Sequence, residues 1–348
     1  MSYLSSQNVQ CETLQKSLET EFQSCPTPLE AMPALEAILA TQNAAGIAQS
    51  VSDGMGKVKT VKVTYDQRAL ESAVTETTGA RSCTSTNETY NNYTTYTIDP
   101  STKLEYGEKI DIADLATVCQ DPAMFYAKKI NKIIDVLERK AATKTATELV
   151  ALYGKWGSNV SGVTSDELVV STLVSTATKV LDYSAMSAID IALMQTGYCA
   201  PPIIVGGTSL FAYGKQIAAG CCSTTGVNIM DMANQFGKAF LYDKRVATAL
   251  GSDTKSLVMQ AGSVALITYN EYNENELPNI TSNYSKIKVF SPRTGLPIDI
   301  VIKDDCGTIS IIGYLTTKVV GLPSDMFAVG DEYRGVTFVN KIKVTNPA

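Results

Sequence analysis

Ser184-Ala-Met-Ser-Ala-Ile-Asp-Ile-Ala-Leu-Met-Gln-Thr-Gly-Tyr-Cys-Ala-Pro-Pro-Ile-Ile-Val205 reads as a helix that turns into a strand. Ser184 stands where a cap satisfies the first free N–H groups, and Gly197 stands where a helix ends in the left-handed conformation. Pro201 and Pro202 forbid continuation, and Ile203 to Val205 supply a β-branched run. The helix is apolar almost all round, so this corner belongs to a core. It carries no chemistry of its own.

Around that corner lies a chain of 348 residues, 45% of them apolar, enough to bury one large core or two ordinary ones. The net charge is −6 with Lys and Arg interspersed among the acids, which predicts no basic patch and no strong electrostatic grip on nucleic acid. The start, Met-Ser-Tyr-Leu-Ser-Ser, shows no basic segment before an apolar one, and no run reaches the ~18 apolar residues of a membrane span. The expectation is a soluble, cytosolic chain with no membrane partner. Histidine is absent. That removes Ser-His-Asp and Cys-His nucleophiles, His metal sites and imidazole acid-base catalysis. Cys11, Cys25, Cys83, Cys119, Cys199, Cys221, Cys222 and Cys306 include no Cys-x-x-Cys spacing, so a zinc ribbon or a thioredoxin-type site is excluded as well.

Residues 9–22 space Val9, Cys11, Leu14, Leu18 and Phe22 as a narrow helical stripe. Cys25-Pro-Thr-Pro28 breaks it, and Leu29 to Leu39 restart it. Two such helices form an arm that needs a surface to lie on. From Lys57 the period changes to two: Val61, Val63 and Tyr65 alternate with polar residues, and a matching pattern resumes over Tyr90 to Ile98 and Leu104 to Ile112. Asp66 to Glu88 between them is polar, which predicts a long two-stranded excursion resting on another surface.

Asp121-Pro122 is a helix start, and no glycine follows until Gly154. Tyr126, Ile130, Ile133, Ile134, Leu137 and Ala141 hold one face. Lys128, Lys129, Lys132, Asp135, Glu138, Arg139 and Lys140 hold the other, expected to be solvated or turned toward a partner or an anionic polymer. Thr164 and Glu167 have capping-box spacing, which predicts a second helix through Leu168, Leu173, Ala177 and Leu181. Thr208 is expected to cap a helix to Ala219, and Val227 to Phe236 to form a short one. Ala239 to Tyr242 and Val264 to Tyr269 read as strands of an interleaved, α/β-like core. After the polar stretch Asn270 to Asn283, alternation through Ile287 and Val289, then Ile298, Ile300 and Ile302, then Thr308 to Val320 predicts a three-stranded meander. A last alternating run holds Val336, Phe338, Val339 and Ile342.

Two stretches invite a chemical reading. Ile203 to Lys215 has the strand, glycines and lysine of a phosphate loop, but six residues separate Gly207 from Gly214 where four are required, and Gln216 replaces the magnesium-binding hydroxyl. Asp304 and Asp305 beside Cys306 form an acidic pair whose place between two strands marks a turn rather than a carboxylate dyad. No catalytic, cofactor-binding or metal-binding residue is therefore assigned, and no cofactor.

The order of these parts resembles the tailed-phage major capsid protein of the Hong Kong-ninety-seven type. Locally, Ser291-Pro-Arg-Thr-Gly-Leu-Pro-Ile-Asp-Ile-Val-Ile-Lys-Asp-Asp-Cys306 is similar to the late peripheral-domain strands of that family, and Val264 to Tyr269 to its axial-domain strand. The resemblance implies an α+β phage capsid fold. Its parts would be an N-terminal arm (1–56), an extended hairpin loop (57–113), the spine helix of the peripheral domain (114–160), an α/β axial domain (161–272), peripheral-domain β-strands (273–330) and a C-terminal strand (331–348). It also implies a structural protein of the virion, not an enzyme, made in the host bacterial cytoplasm. Its partners would be copies of itself in pentamers and hexamers of an icosahedral head, with portal, scaffold and decoration proteins. Packaged double-stranded DNA would be enclosed without sequence-specific contact. The other classes the residues leave open are a cytosolic α/β enzyme and a surface-layer or adhesin-type self-assembling protein.

Overall fold

The computed structural model describes residue 19 and residues 30–42, 59–65, 92–98, 102–111, 122–175, 180–221, 238–270, 284–305, 307–322, 324 and 335–345. The expected helices over 9–22 and Val227 to Phe236, the segment Asp66 to Glu88 and most of the stretch Asn270 to Asn283 lie outside the described residues. What is described is a mixed α+β fold built on two sheets and one long helix.

That helix, α2 (Pro122–Ala151, 30 residues), is close to the rod that the glycine-free interval predicts, about 45 Å at 1.5 Å per residue. Ile130, Ile133, Ile134, Leu137 and Ala141 fall on one face and are buried. They pack on a sheet made of β3 (Leu104–Asp111), β11 (Val264–Tyr269), β12 (Tyr284–Phe290), β13 (Pro297–Asp305) and β14 (Thr308–Gly321). The β12-β13-β14 meander is antiparallel throughout, as its alternation demands, with Ile298, Ile300, Ile302, Ile309 and Ile311 all turned to α2. Asp304 and Asp305 belong to strand β13, paired with Ile309 and Thr308, so the turn starts after them, with Gly307 at φ 106°.

Two strands sit elsewhere than the linear order suggests. Leu104–Asp111, expected within the extended stretch 57–113, leaves it and pairs antiparallel with β14, because Leu104, Tyr106 and Ile110 find their apolar surface beside α2. Gly107 lets the two strands close up there, since a Cβ on it would lie 3.1 Å from Ile312. Val264–Tyr269, expected in the interleaved core, pairs with the far end of β14.

The second sheet has six strands in the order β4 (Val163–Thr164), β5 (Glu167–Ser171), β15 (Val339–Thr345), β10 (Lys255–Gln260), β8 (Pro202–Gly206), β9 (Ala239–Tyr242). α3 (Ser184–Gln195) and α4 (Thr208–Cys221) cover one face through Met186, Ile189, Leu193, Leu210, Tyr213 and Ile217. On the other face lie α1 (Pro33–Thr41), the last turns of α2 with Ala142, Ala146 and Leu149, and α5 (Lys244–Leu250). α2 thus joins the two sheets, its first half on one and its second half on the other.

The helix expected from Thr164 and Glu167 is overturned. The segment forms β4, β5, β6 (Leu173–Ser175) and β7 (Val180–Leu181). Ser165 and Asp166 both take positive φ, 51° and 62°, and make a tight hairpin turn, while Leu168 and Val170 alternate inward with the β-branched bias of a strand. The helix after it runs as expected to Gly197, at φ 82°, but Ser184 is its first residue and not its cap. Its N–H is received by the side chain of Asp182 at 2.9 Å.

Candidate assembly surface

The loop between β8 and α4 is closed by backbone: Gly207 N–H donates to the carbonyl of Lys255 at 2.9 Å and Ser209 N–H faces that of Asp253 at 3.4 Å. A Cβ on Gly207 would fall 1.9 Å from the Asp253 carbonyl oxygen. The groups that would cradle a phosphate are thus already taken. Lys215 sits in the middle of α4 with its ammonium 5.7 Å from the ring of Phe211. Among the described residues no group of three or more Cys, Asp or Glu could hold a metal ion, and no helix is long and apolar enough to cross a membrane.

Surfaces are more informative. β1 (Lys59–Tyr65) and β2 (Asn92–Ile98) pair antiparallel in full register from Lys59 opposite Ile98 to Tyr65 opposite Asn92. They form a sheet of two strands, about 20 Å from root to far end at 3.4 Å per residue. Its root is seated. Ile98 is buried with Ala265, Ile267 and Val320 on the face of the five-stranded sheet turned away from α2. Tyr96 donates its hydroxyl to the carbonyl of Gly321 at 2.6 Å, and burial raises its pKa although that hydrogen bond opposes the rise.

α1 is fastened from both sides. Arg293 reaches Glu36 at 2.7 Å and the carbonyl of Glu30 at 2.7 Å. Arg245 holds Glu30 at 2.8 Å and the carbonyl of Ala31 at 3.0 Å. The buried carboxylate of Asp243 receives Ala34 N–H at 3.1 Å and Arg245 N–H at 2.9 Å, so one side chain caps α5 and binds the start of α1. Gln42, just past α1, accepts the N–H of Leu266 at 3.1 Å on the free edge of β11.

Three charged groups that sequence spacing assigns to the solvated face of α2 are engaged. Lys129 and Lys132 meet Glu108 of β3, whose pKa partial burial would raise but whose hydrogen bonds from Lys132, Lys129 and Tyr106 bring down overall. Glu138 is buried, 3% exposed, because the turn Ser291–Gly295 closes over it. Burial raises its pKa against the hydrogen bonds of Ser291 and Thr294 and the charge of Arg293. No pattern within α2 announces this, since the turn is contributed by residues far along the chain.

The outer face of α3 sets two large apolar side chains in solvent among Ser184, Ser187 and Ala188. Ile191 and Met194, 52% and 76% exposed, project from it, with Tyr183 just before the helix and Val174 on β6 also exposed. Exposed apolar surface of this kind marks a contact with another molecule when it is contiguous.

No family model matches the chain, and no curated protein matches it in sequence. Solved structures do. The chain is similar to phage capsid chains. One comes from the capsid structure of the cyanophage P-SCSP1u, at TM-score 0.43 and 12% identity over 86% of both chains. Another comes from the capsid asymmetric unit of cyanophage A-1(L), at TM-score 0.44 and 10% identity, covering 88% of this chain and 93% of that one. A third comes from the capsid of Ralstonia phage GP4, at TM-score 0.43 and 11% identity over 86% and 87%.

Proposed function

We propose that this chain is a shell-forming structural protein, the major capsid subunit of a tailed phage, assembling with copies of itself into pentamers and hexamers around double-stranded DNA. The observation that carries this reading is the ribbon β1-β2, which is rooted at Tyr96 and Ile98 and otherwise pairs only with itself among the described strands. A two-stranded ribbon is marginal in water, so its far end needs a surface from another copy. The exposed Ile191 and Met194 of α3 add a second contact area. On this reading residues 1–56 serve as an arm and 57–98 as the extended loop, with α2 as spine; scaffold, portal and decoration proteins complete the head.

The test replaces residues 66–88 by an Asn-Gly turn. The variant is expected to keep its circular dichroism and melting behaviour, because β3, α2 and both sheets are untouched, and to give few closed particles by electron microscopy where the parent chain gives many. Normal shells from the variant would remove the ribbon from the intersubunit contacts. A monodisperse parent monomer at high concentration, with scaffold present, would sink the shell reading itself.

A further inference from the structure

We propose that the groove between α2 and α5 takes the phosphate backbone of nucleic acid, which turns this face of the subunit toward the packaged duplex; the inference rests on the shell reading. The groove is a shallow, open one of about 400 Å³. Arg139, Thr143 and Thr147 of α2 form one wall, Lys244 and Thr248 of α5 the other, and Arg245 with its partner Glu30 closes one end.

Charge selects the ligand. The whole chain carries −6, yet α2 holds Lys128, Lys129, Lys132, Arg139, Lys140 and Lys144 against Asp135, Glu148 and the buried Glu138, and α5 adds Lys244 and Arg245. Lys129 and Lys132 meet Glu108, and Lys144 reaches the carbonyl of Thr317. Arg139 is held by Asp135 at 2.9 Å on one side and opens to the groove on the other. Lys128 and Lys140 are exposed.

Spacing and polarity agree with that choice. Lys128, Lys132, Arg139, Thr143 and Thr147 follow one another at four- and seven-residue steps, so they share a face along about 28 Å of helix, roughly eight base-pair steps of duplex. The hydroxyls of Thr143, Thr147 and Thr248 donate to carbonyls one turn back in their own helices, at 3.1, 3.1 and 2.8 Å. A hydroxyl rotor can swing that hydrogen to a phosphate oxygen. Apart from Ala249 the lining is polar, which disfavours an apolar protein partner. Nothing in the groove is shaped to enter a base-pair groove, so contact is to phosphates and independent of sequence.

The experiment uses the full chain and a short mixed-sequence DNA duplex, with binding followed as salt is raised. Replacing Arg139, Lys140 and Lys244 together by Gln is expected to make the slope of log affinity against log salt shallower by about two to three, near 0.9 for each phosphate no longer neutralised. Lys103→Gln with Lys303→Gln, on the sheet face away from α2, should leave the slope unchanged, and melting curves confirm that both variants are folded. An unchanged slope in the triple variant overturns the proposal, as does an equally shallow slope in the control pair or a preference for poly-glutamate over the duplex. The shell reading fails differently, by a lack of closed particles while duplex binding persists.

Discussion

The hydroxyl of Tyr96 and the backbone of Gly321 hold each other: the hydroxyl donates to the Gly321 carbonyl at 2.6 Å, and the Gly321 N–H donates to the hydroxyl oxygen of Tyr96 at 3.4 Å. This contact ties the root of the ribbon to the end of β14, beside the buried Ile98.

Tyr96→Phe removes that hydrogen bond and leaves the Gly321 carbonyl short of a partner. A loss of about 1 kcal/mol is expected in denaturant unfolding. Ile98→Ala empties part of the ribbon's apolar seat and should cost about 2 to 5 kcal/mol. On the shell reading, both should lower the yield of particles, the second more, as scored by sedimentation.

Glu138→Gln tests the buried carboxyl under the turn Ser291–Gly295. Its folded-state pKa is raised by burial, so its contribution is complete below the unfolded value and is lost as pH climbs through the folded one. The variant keeps a neutral group that Thr294 and Ser291 can still bond. Relative to the parent it should gain stability as pH rises from mildly acidic to neutral, read as a difference in melting temperature that grows with pH.

Glu167→Gln acts with the opposite sign. Glu167 receives Lys255 at 2.7 Å and Lys341 at 2.9 Å, and although partial burial pushes its pKa up, these two hydrogen bonds bring the net value down. Its contribution is therefore present above the unfolded value and lost as pH falls through the folded one. At neutral pH the variant should be destabilised by up to about 3 kcal/mol, because two half-buried ammonium groups lose their counter-charge. The gap to the parent should start to narrow as pH falls below the unfolded glutamate value, about 4.3, and close only below the lower folded one.

Gly207→Ala places a methyl group against the carbonyl of Asp253, backbone that cannot step aside. Overpacking of this sort costs about 1 to 3 kcal/mol or more. The urea midpoint should fall well below that of Gly251→Ala, where the added Cβ meets nothing within 4 Å and only the left-handed backbone, φ 72°, opposes it.

Ile191→Glu together with Met194→Glu probes the outer face of α3. Both side chains already stand in water, so melting should change by less than about 0.5 kcal/mol equivalent. Shell yield should drop if another copy covers this face, and normal yield would remove α3 from the contacts.

The periodic parts of the fold were legible. α2 shows because an Asp-Pro start and a 3.6-residue apolar stripe agree, and the meander because Ile298, Ile300 and Ile302 leave no second interpretation of their period. Thr164 and Glu167 misled because capping-box spacing is a local signal, and the β-branched run after it is decided by pairing with β15. α5 escaped the sequence although Asp243 and Gly251 bracket it, since seven residues give a stripe too few points. β10 escaped because a strand covered on both faces has no alternation to display. The surface features were the least legible: Glu138, Arg245 and Arg293 owe their roles to partners from distant stretches.

β15 lies in the middle of the six-stranded sheet, between β5 and β10, and is the neighbour through which β4 and β5 join the rest. During synthesis, residues 163–171 emerge long before residues 339–345 exist to receive them. The six-stranded sheet therefore cannot close until residues 339–345 are available to lie between β5 and β10. A chain cut before residue 339 would leave the facing edges of β5 and β10 unpaired, the kind of open edge that invites pairing with another chain.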